Sequence, residues 1–429
     1  MAQTLKFGNK TWATKVGSTL AYNDLSGNYK PLPFAFTRST SATRVNKEGL
    51  IEVVTNDRPR IDYTDTSDGV LLLEKAATNL FTYSEDFINA SWGKENLTVT
   101  SNEIISPNGI LSADKIVENE TNTYHALSRS INISSGDNSI SVFAKKDERK
   151  YLIIRSNLSG SNVNTTFDLE NGLVTYNGHT SSSIESFGNG WYRCIITSNS
   201  STTSVSTAIL MSEINVTNNT LITYQGDGTS GFYVWGFQVE SGNASSYIPT
   251  QGSASTRVAE TASGSGNSEV FNDSEGVLFA NIAANSNDLT NRKLSISNGS
   301  SSQRIVLSYT TVSNTLDYDV VNSTQQADIS HSLTNIKLFS KVAAKYKTND
   351  FALWVNGFEV ATDSSGNAPT GLSELNFDRG FGGENFYGKT KEIGYYDTIL
   401  TDLELETLTS YKSWTSMVNE LNLNIIYNG

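Results

Sequence analysis

The stretch Gly231-Phe232-Tyr233-Val234-Trp235-Gly236-Phe237-Gln238-Val239-Glu240, followed by Tyr247-Ile248-Pro249-Thr250, decides how this 429-residue chain is read. Aromatic and β-branched side chains suit a pleated, half-buried surface, while Gly and Pro punctuate its ends. It reads as a strand that closes one β-sandwich, then an exit towards a second. Upstream, residues 139–144, 151–155, 165–169, 191–196 and 207–211 have strand length and spacing, and Asn171-Gly172, Asn177-Gly178 and Asn189-Gly190 are turn signals between several of them. Downstream, 276–282, 304–309, 316–320, 336–346 and 350–357 repeat the pattern. The expected class is therefore all-β: two tandem antiparallel β-sandwiches with an extended N-terminal arm.

Composition agrees with this. Ser, Thr, Asn and Gly abound, and they favour turns and exposed sheet faces over long helices. The formal net charge of −13 repels a phosphate backbone, so nucleic acid is not an expected partner. The single cysteine, Cys194, lies in a strand-like run and reads as a buried, inert thiol. The opening Met1-Ala2-Gln3-Thr4-Leu5-Lys6 lacks the apolar core of a signal peptide, and no stretch approaches membrane-spanning length. Folding in a cytoplasm, without membrane insertion, is the expectation.

Organisation along the chain is expected as follows: 1–78 an extended arm and attachment segment, 79–260 the first sandwich, 261–269 a Gly/Ser linker, 270–411 the second sandwich, and 412–429 a C-terminal extension. The arm holds too little apolar material for its own core, so it should dock on a later part of the chain or on another subunit. Thr401 followed by Glu404 is a capping box for a short helix over one end of the second sandwich. The alternation Leu421-Asn422-Leu423-Asn424-Ile425 fits one strand.

Several groups of residues carry a resemblance, among them Gly49-Leu50-Ile51-Glu52 and Gly69-Val70-Leu71-Leu72-Leu73-Glu74. Phe36-Thr37-Arg38-Ser39-Thr40-Ser41-Ala42-Thr43-Arg44-Val45-Asn46, Arg58-Pro59-Arg60-Ile61-Asp62-Tyr63, and Thr78 to Phe87 with Trp92 follow one another in order. With Gly190-Trp191-Tyr192-Arg193 and Ser245-Ser246-Tyr247-Ile248-Pro249-Thr250, they make roughly residues 36–260 similar to a segment of tailed-bacteriophage structural proteins, such as tail-fibre and other virion surface proteins. In that family the segment leads into a jelly roll like that of carbohydrate-binding modules. The region around Val355-Asn356-Gly357-Phe358 and the close from Phe386 to Leu408 resemble laminin-G or concanavalin-A-like lectin sandwiches.

The resemblance implies a non-enzymatic protein on the virion surface, assembled in the bacterial host cytoplasm. Its implied partners are other virion proteins and host-surface glycans. A homo-oligomer, the trimer of phage fibres in particular, is a further expectation, though the chain shows no heptad or collagen-like repeat. Capsid decoration, a head-fibre or a tail assembly role with lectin-like folds used only for packing is the alternative reading; a polysaccharide depolymerase is a third.

Candidate residues follow from strand alternation. Trp354 is expected opposite the core-facing Phe351, Leu353 and Val355, while Tyr233 and Trp235 share a face opposite Phe232 and Val234. All three are candidates for stacking on sugar rings, with packing against a neighbouring element as the alternative. Arg38, Arg44, Arg58 and Arg60 are candidates for attachment to other virion proteins. No catalytic residue, cofactor or metal site is expected. Asp402, Glu404 and Glu406 fall in a helical pattern, Asp317 and Asp319 lack a marked third acid, and His125, His179 and His331 share no ligand spacing.

Overall fold

The closing strand forms as expected, and its glycine shows how. In a computed structural model that describes residues 3–23, 29–421 and 423, Gly231–Ser241 is one strand. Phe232 and Val234 point into the core, as do Phe237 and Val239. That change of parity needs one extra residue, and the register shifts opposite Ser141 and Phe143. Gly236 sits there at φ 61°, where a Cβ would lie 2.9 Å from the Phe143 ring.

This strand belongs to a compact unit made of residues 41–54 and 76–258. Two six-stranded antiparallel sheets face each other in it. One runs Leu97–Ile105, Leu111–Glu118, Gly231–Ser241, Gly136–Lys146, Trp191–Ser200, Ser181–Ser186. The other is built around Ala126–Asn132, Ser204–Ser212, Tyr151–Ser156 and Val163–Asp168. Between them lie Ile140, Val142, Leu152, Ile154, Cys194, Ile196 and Met211. Burial raises the Cys194 thiol pKa well above its ordinary value, so the thiol is inert. Phe81, Phe87 and Trp92 close the same core, with Phe81 and Phe237 ring centroids 4.7 Å apart. The exit segment is stitched into this unit: the Tyr247 hydroxyl lies 2.9 Å from both Ser84 Oγ and Glu85 Oε1.

The second unit comprises residues 1–40, 55–75 and 259–429. Among the described residues its larger sheet has twelve strands, with Leu5–Gly8, Gly388–Tyr396, Glu275–Ala284, Ser340–Lys347 and Phe351–Val355 adjacent in that order. A five-stranded sheet, with Glu374–Asn376 at one edge beside Arg292–Ser297 and Thr324–Ser332 at the other, packs against it around Leu278, Ala280, Leu294, Ile305, Tyr318, Leu353 and Ile393. Every pairing between these strands is antiparallel. Helix α1, Asp402–Thr409, starts with Thr401 accepting from the Glu404 amide and Glu404 reaching back to the Thr401 amide, the expected capping box.

The boundaries fall differently from the sequence-based division. The N-terminal segment is extended, and its strands join sheets of this same chain. Leu5–Gly8, Ser18–Asn23 and Lys30–Thr37 enter the large sheet, whereas Ala42–Val45 and Ile51–Val54 form a hairpin in the first-described unit. Residues 261–269 are not a free linker: Thr261–Ser263 pairs with Lys30–Thr37, and Ser265 bridges Leu375. Backbone hydrogen bonds there outweigh the flexibility that Gly and Ser would give in isolation. In the C-terminal extension, helix α2 spans Trp414–Glu420, capped by Ser413, and Leu421 ends it. The strand expected over 421–425 therefore does not begin at Leu421, and Asn422, Asn424 and Ile425 lie outside the described residues.

Candidate functional site

On the face of the Gly231–Ser241 sheet turned away from the core, alternate residues of four strands line up. The registers place Lys115 beside Tyr233, Tyr233 beside Lys145, and Lys145 beside Trp191. The next row holds Trp235, Phe143 and Arg193. That second row is covered: Trp235 and Phe143 pack with Val45 and Ile51 of the 42–54 hairpin and with Tyr247. In the first row Tyr233 and Lys145 are half-buried, while Trp191 is 3% exposed and packs into that covered cluster. Tyr233, Lys145 and Trp191 line a groove of about 610 Å³ walled by Leu50, Ile105, Leu111 and Phe187.

The chemistry of this groove is mixed. Tyr233 and Phe187 are half-buried, while Ile105 and Leu111 are each more than half exposed. The Trp191 indole N–H is held by the Ile105 carbonyl at 3.1 Å. Around this apolar floor stand Glu103, Asp147, Asn189 and Lys145. Lys115 pairs with Asp147 at 2.6 Å and with Glu148 at 3.1 Å, and its ammonium lies 5.6 Å from the Tyr233 ring centre. Burial would raise the Asp147 pKa, but its bonds to Lys115 and Tyr233 lower it, so this carboxylate stays ionised. The Lys145 ammonium makes no hydrogen bond or ion pair among the described residues. An apolar ring platform edged by an ammonium, carboxylates and an amide can stack on a sugar face and hydrogen-bond its hydroxyls.

Of the expected platform residues, Tyr233 lines this groove. Trp235 does not: it is 1% exposed beneath the hairpin. Trp354 is likewise buried, at 6% exposure, with Phe279, Ala343, Tyr396 and Leu405 of α1 around it. Alternation put Trp354 on the non-core face correctly, but α1 covers that face. The sequence reading missed Lys145, Phe187 and Trp191 as groove residues. Alternation marks Lys145 and Trp191 as outward-facing, yet only the cross-strand register brings them together, and Phe187 lies just past the strand Ser181–Ser186.

The arginines divide. Arg38 and Arg60 are fully buried and therefore turned away from any outside partner. Arg38 meets Glu260 at 2.7 Å, and Arg60 bonds both Glu260 and, at 2.8 Å, Glu74. Burial alone would lower the Arg60 pKa, but Glu260 and Glu74 outweigh it and raise it. Arg44 pairs with Glu52 near the surface, and Arg58 is exposed with its carbonyl accepting from Arg38.

Asp402 and Glu406 are exposed on α1, and Glu404 serves its cap. Asp319 sits directly opposite Asp328, and burial first, then Asp328, raises its pKa to about 6. Among the described residues no group of three or more His, Cys, Asp or Glu is arranged to hold a metal ion.

The geometry defines an all-β protein of antiparallel sandwiches with a lined surface groove. No family model matches the sequence, and no curated protein matches it. Among solved structures, the chain is similar to the Ruminococcus gnavus IT-sialidase CBM40 bound to alpha2,3 sialyllactose, with 18% identity, 34% of this chain and 94% of that one covered, and a TM-score of 0.30. It is also similar to mouse laminin alpha1 chain domains LG4-5, with 10% identity, 64% and 86% covered, and a TM-score of 0.24.

Proposed function

We propose that the chain is a non-enzymatic glycan-binding protein displayed on the virion surface of a tailed phage, with the Tyr233 groove as its sugar site. The observation that supports this best is the row Tyr233, Lys145, Trp191, which lines a groove beside an otherwise covered sheet face. The phage assignment rests on the ordered motifs of residues 36–260, as do other virion proteins as partners and a homo-oligomeric, trimeric state. Arg44 and Arg58 are the surface arginines left for such attachment.

The rival reading is a capsid decoration, head-fibre or tail assembly protein whose sandwiches serve packing alone. Burial of Trp235 and Trp354 favours it, since two of the three expected platform rings are core. A glycan array probed with the full chain separates the two. Retention of host glycans that drops about tenfold or more in Tyr233→Ala supports the sugar site. A blank array supports packing, and release of reducing sugar from host polysaccharide would replace both with a depolymerase.

A further inference from the structure

The large sheet of the other unit also has a face turned from its core, and α1 covers only part of it. Cross-strand registers set Glu392, Asn281 and Lys341 side by side on three adjacent strands. The neighbouring row, with Phe279, Ala343 and Trp354, lies under α1. Beyond the helix the first row opens into a pocket of about 590 Å³, rimmed by α2 and by the loop after Leu5–Gly8.

Two observations mark this pocket as a ligand site. The first is charge. Lys6, Lys10, Lys341, Lys391 and Lys412 converge on it against Asp68, Glu392 and Glu420, leaving two positive charges in excess on a chain of net charge −13. Lys10 and Lys391 hold their carboxylates only loosely, at 3.3 Å each, and Lys412 makes no bond among the described residues. The second is an unmet polar atom. Asn281 is 7% exposed, lines the pocket, and its Oδ1 is buried with no hydrogen-bond partner. A buried acceptor without a donor is costly, and a ligand hydroxyl would satisfy it.

Lys341 points the same way. It donates to the Ser410 carbonyl at 2.8 Å, which leaves further ammonium donors, and burial lowers its pKa. An anion beside it would reverse that effect. The floor under these groups is apolar, formed by Phe279 and Tyr396.

We infer that this pocket binds a saccharide bearing negatively charged groups: lysines take the carboxylate or phosphate, and Asn281 Oδ1 accepts from a hydroxyl. The inference is independent of the Tyr233 groove, which lies in the other unit and shares no residue with it.

Titration calorimetry on the full chain at low salt tests it with three probes: tetragalacturonate for carboxylates, glucose 1,6-bisphosphate for phosphates, and neutral maltotetraose. Saturable binding of either anionic probe is expected, and which one binds identifies the anion. Lys10→Glu with Lys412→Glu, both on exposed side chains, should weaken it about tenfold or more, and Glu392→Gln, which removes a carboxylate from the row, should strengthen it. A gain in affinity is a result that a damaged fold does not produce. Failure of both anionic probes to saturate, or affinities unchanged by all three substitutions, overturns the assignment. Tyr233→Ala should leave anionic binding intact, so loss of groove binding and loss of pocket binding are read separately.

Discussion

Glu260 ties together three chain segments of its unit. Its carboxylate is fully buried and faces two buried guanidiniums, those of Arg38 and Arg60, while also accepting the Glu74 amide at 2.9 Å. Breaking one partner of a buried ionic group leaves charge uncompensated, at about 3–5 kcal/mol. Glu260→Gln should therefore lower the chemical denaturation midpoint of its unit sharply, whereas Glu52→Gln, at the surface pair with Arg44 in the other unit, should change the stability of that unit by less than about 1 kcal/mol. Trp354 gives a second test at this scale. Truncating a buried Trp leaves a cavity, and Trp354→Ala should destabilise by about 3–5 kcal/mol while leaving glycan binding by the folded protein unchanged.

Two titrating residues act with opposite sign. Burial lowers the His179 pKa to about 4, and its ring nitrogens are occupied by Ser156 at 2.9 Å and Thr165 at 2.7 Å. Below the ordinary histidine pKa the unfolded chain takes up a proton that the folded unit refuses. The contribution of His179 to the stability of its unit is thus lost as pH falls from about 6.5 to 4, by about 2–3 kcal/mol. Asp319, raised to about 6, keeps its proton in the folded state where the unfolded chain has released it. The other unit accordingly loses stability as pH rises from about 4 to 6, by about 1–2 kcal/mol after solvent screening. Hydrogen exchange resolved by peptide, compared between the parent chain and variants, should show contributions of opposite sign from the two residues; in the unit of His179, Asp114, which burial raises to about 6, opposes the histidine. His179→Gln and Asp319→Asn should each flatten one of the two slopes.

At the scale of elements, the short helix was the most legible feature. Thr401 and Glu404 carry a local signal, three residues apart, and the cap forms as that spacing requires. Thr401→Ala should cost about 1 kcal/mol in thermal unfolding. The Gly231–Ser241 strand was legible too, but its bulge was not, because alternation within one strand does not show where a partner slips register. Gly236→Ala is expected to destabilise by about 1–2 kcal/mol, since its φ is positive and the Phe143 ring lies where a Cβ would go. Trp354 shows the same limit. Its face followed from alternation, and what covers that face came from a helix nearly fifty residues later in the chain.

For the whole molecule, fold class was readable from composition and strand spacing, but the allocation of segments was not. The N-terminal strands pair with residues such as Ile393 and Tyr395 near the other end of the chain, and no local pattern encodes pairing at that separation. The groove is hidden for the same reason: Lys145, Tyr233 and Trp191 become neighbours only when three distant strands align. The central claim is that this aligned row holds a glycan. A crystal structure of the full chain with an oligosaccharide retained on the array tests it most directly. Density for a sugar ring against Tyr233 and Phe187, with a hydroxyl or carboxylate at Lys145, is the predicted result. A bound sugar seated elsewhere on that unit, with this groove empty, would contradict it.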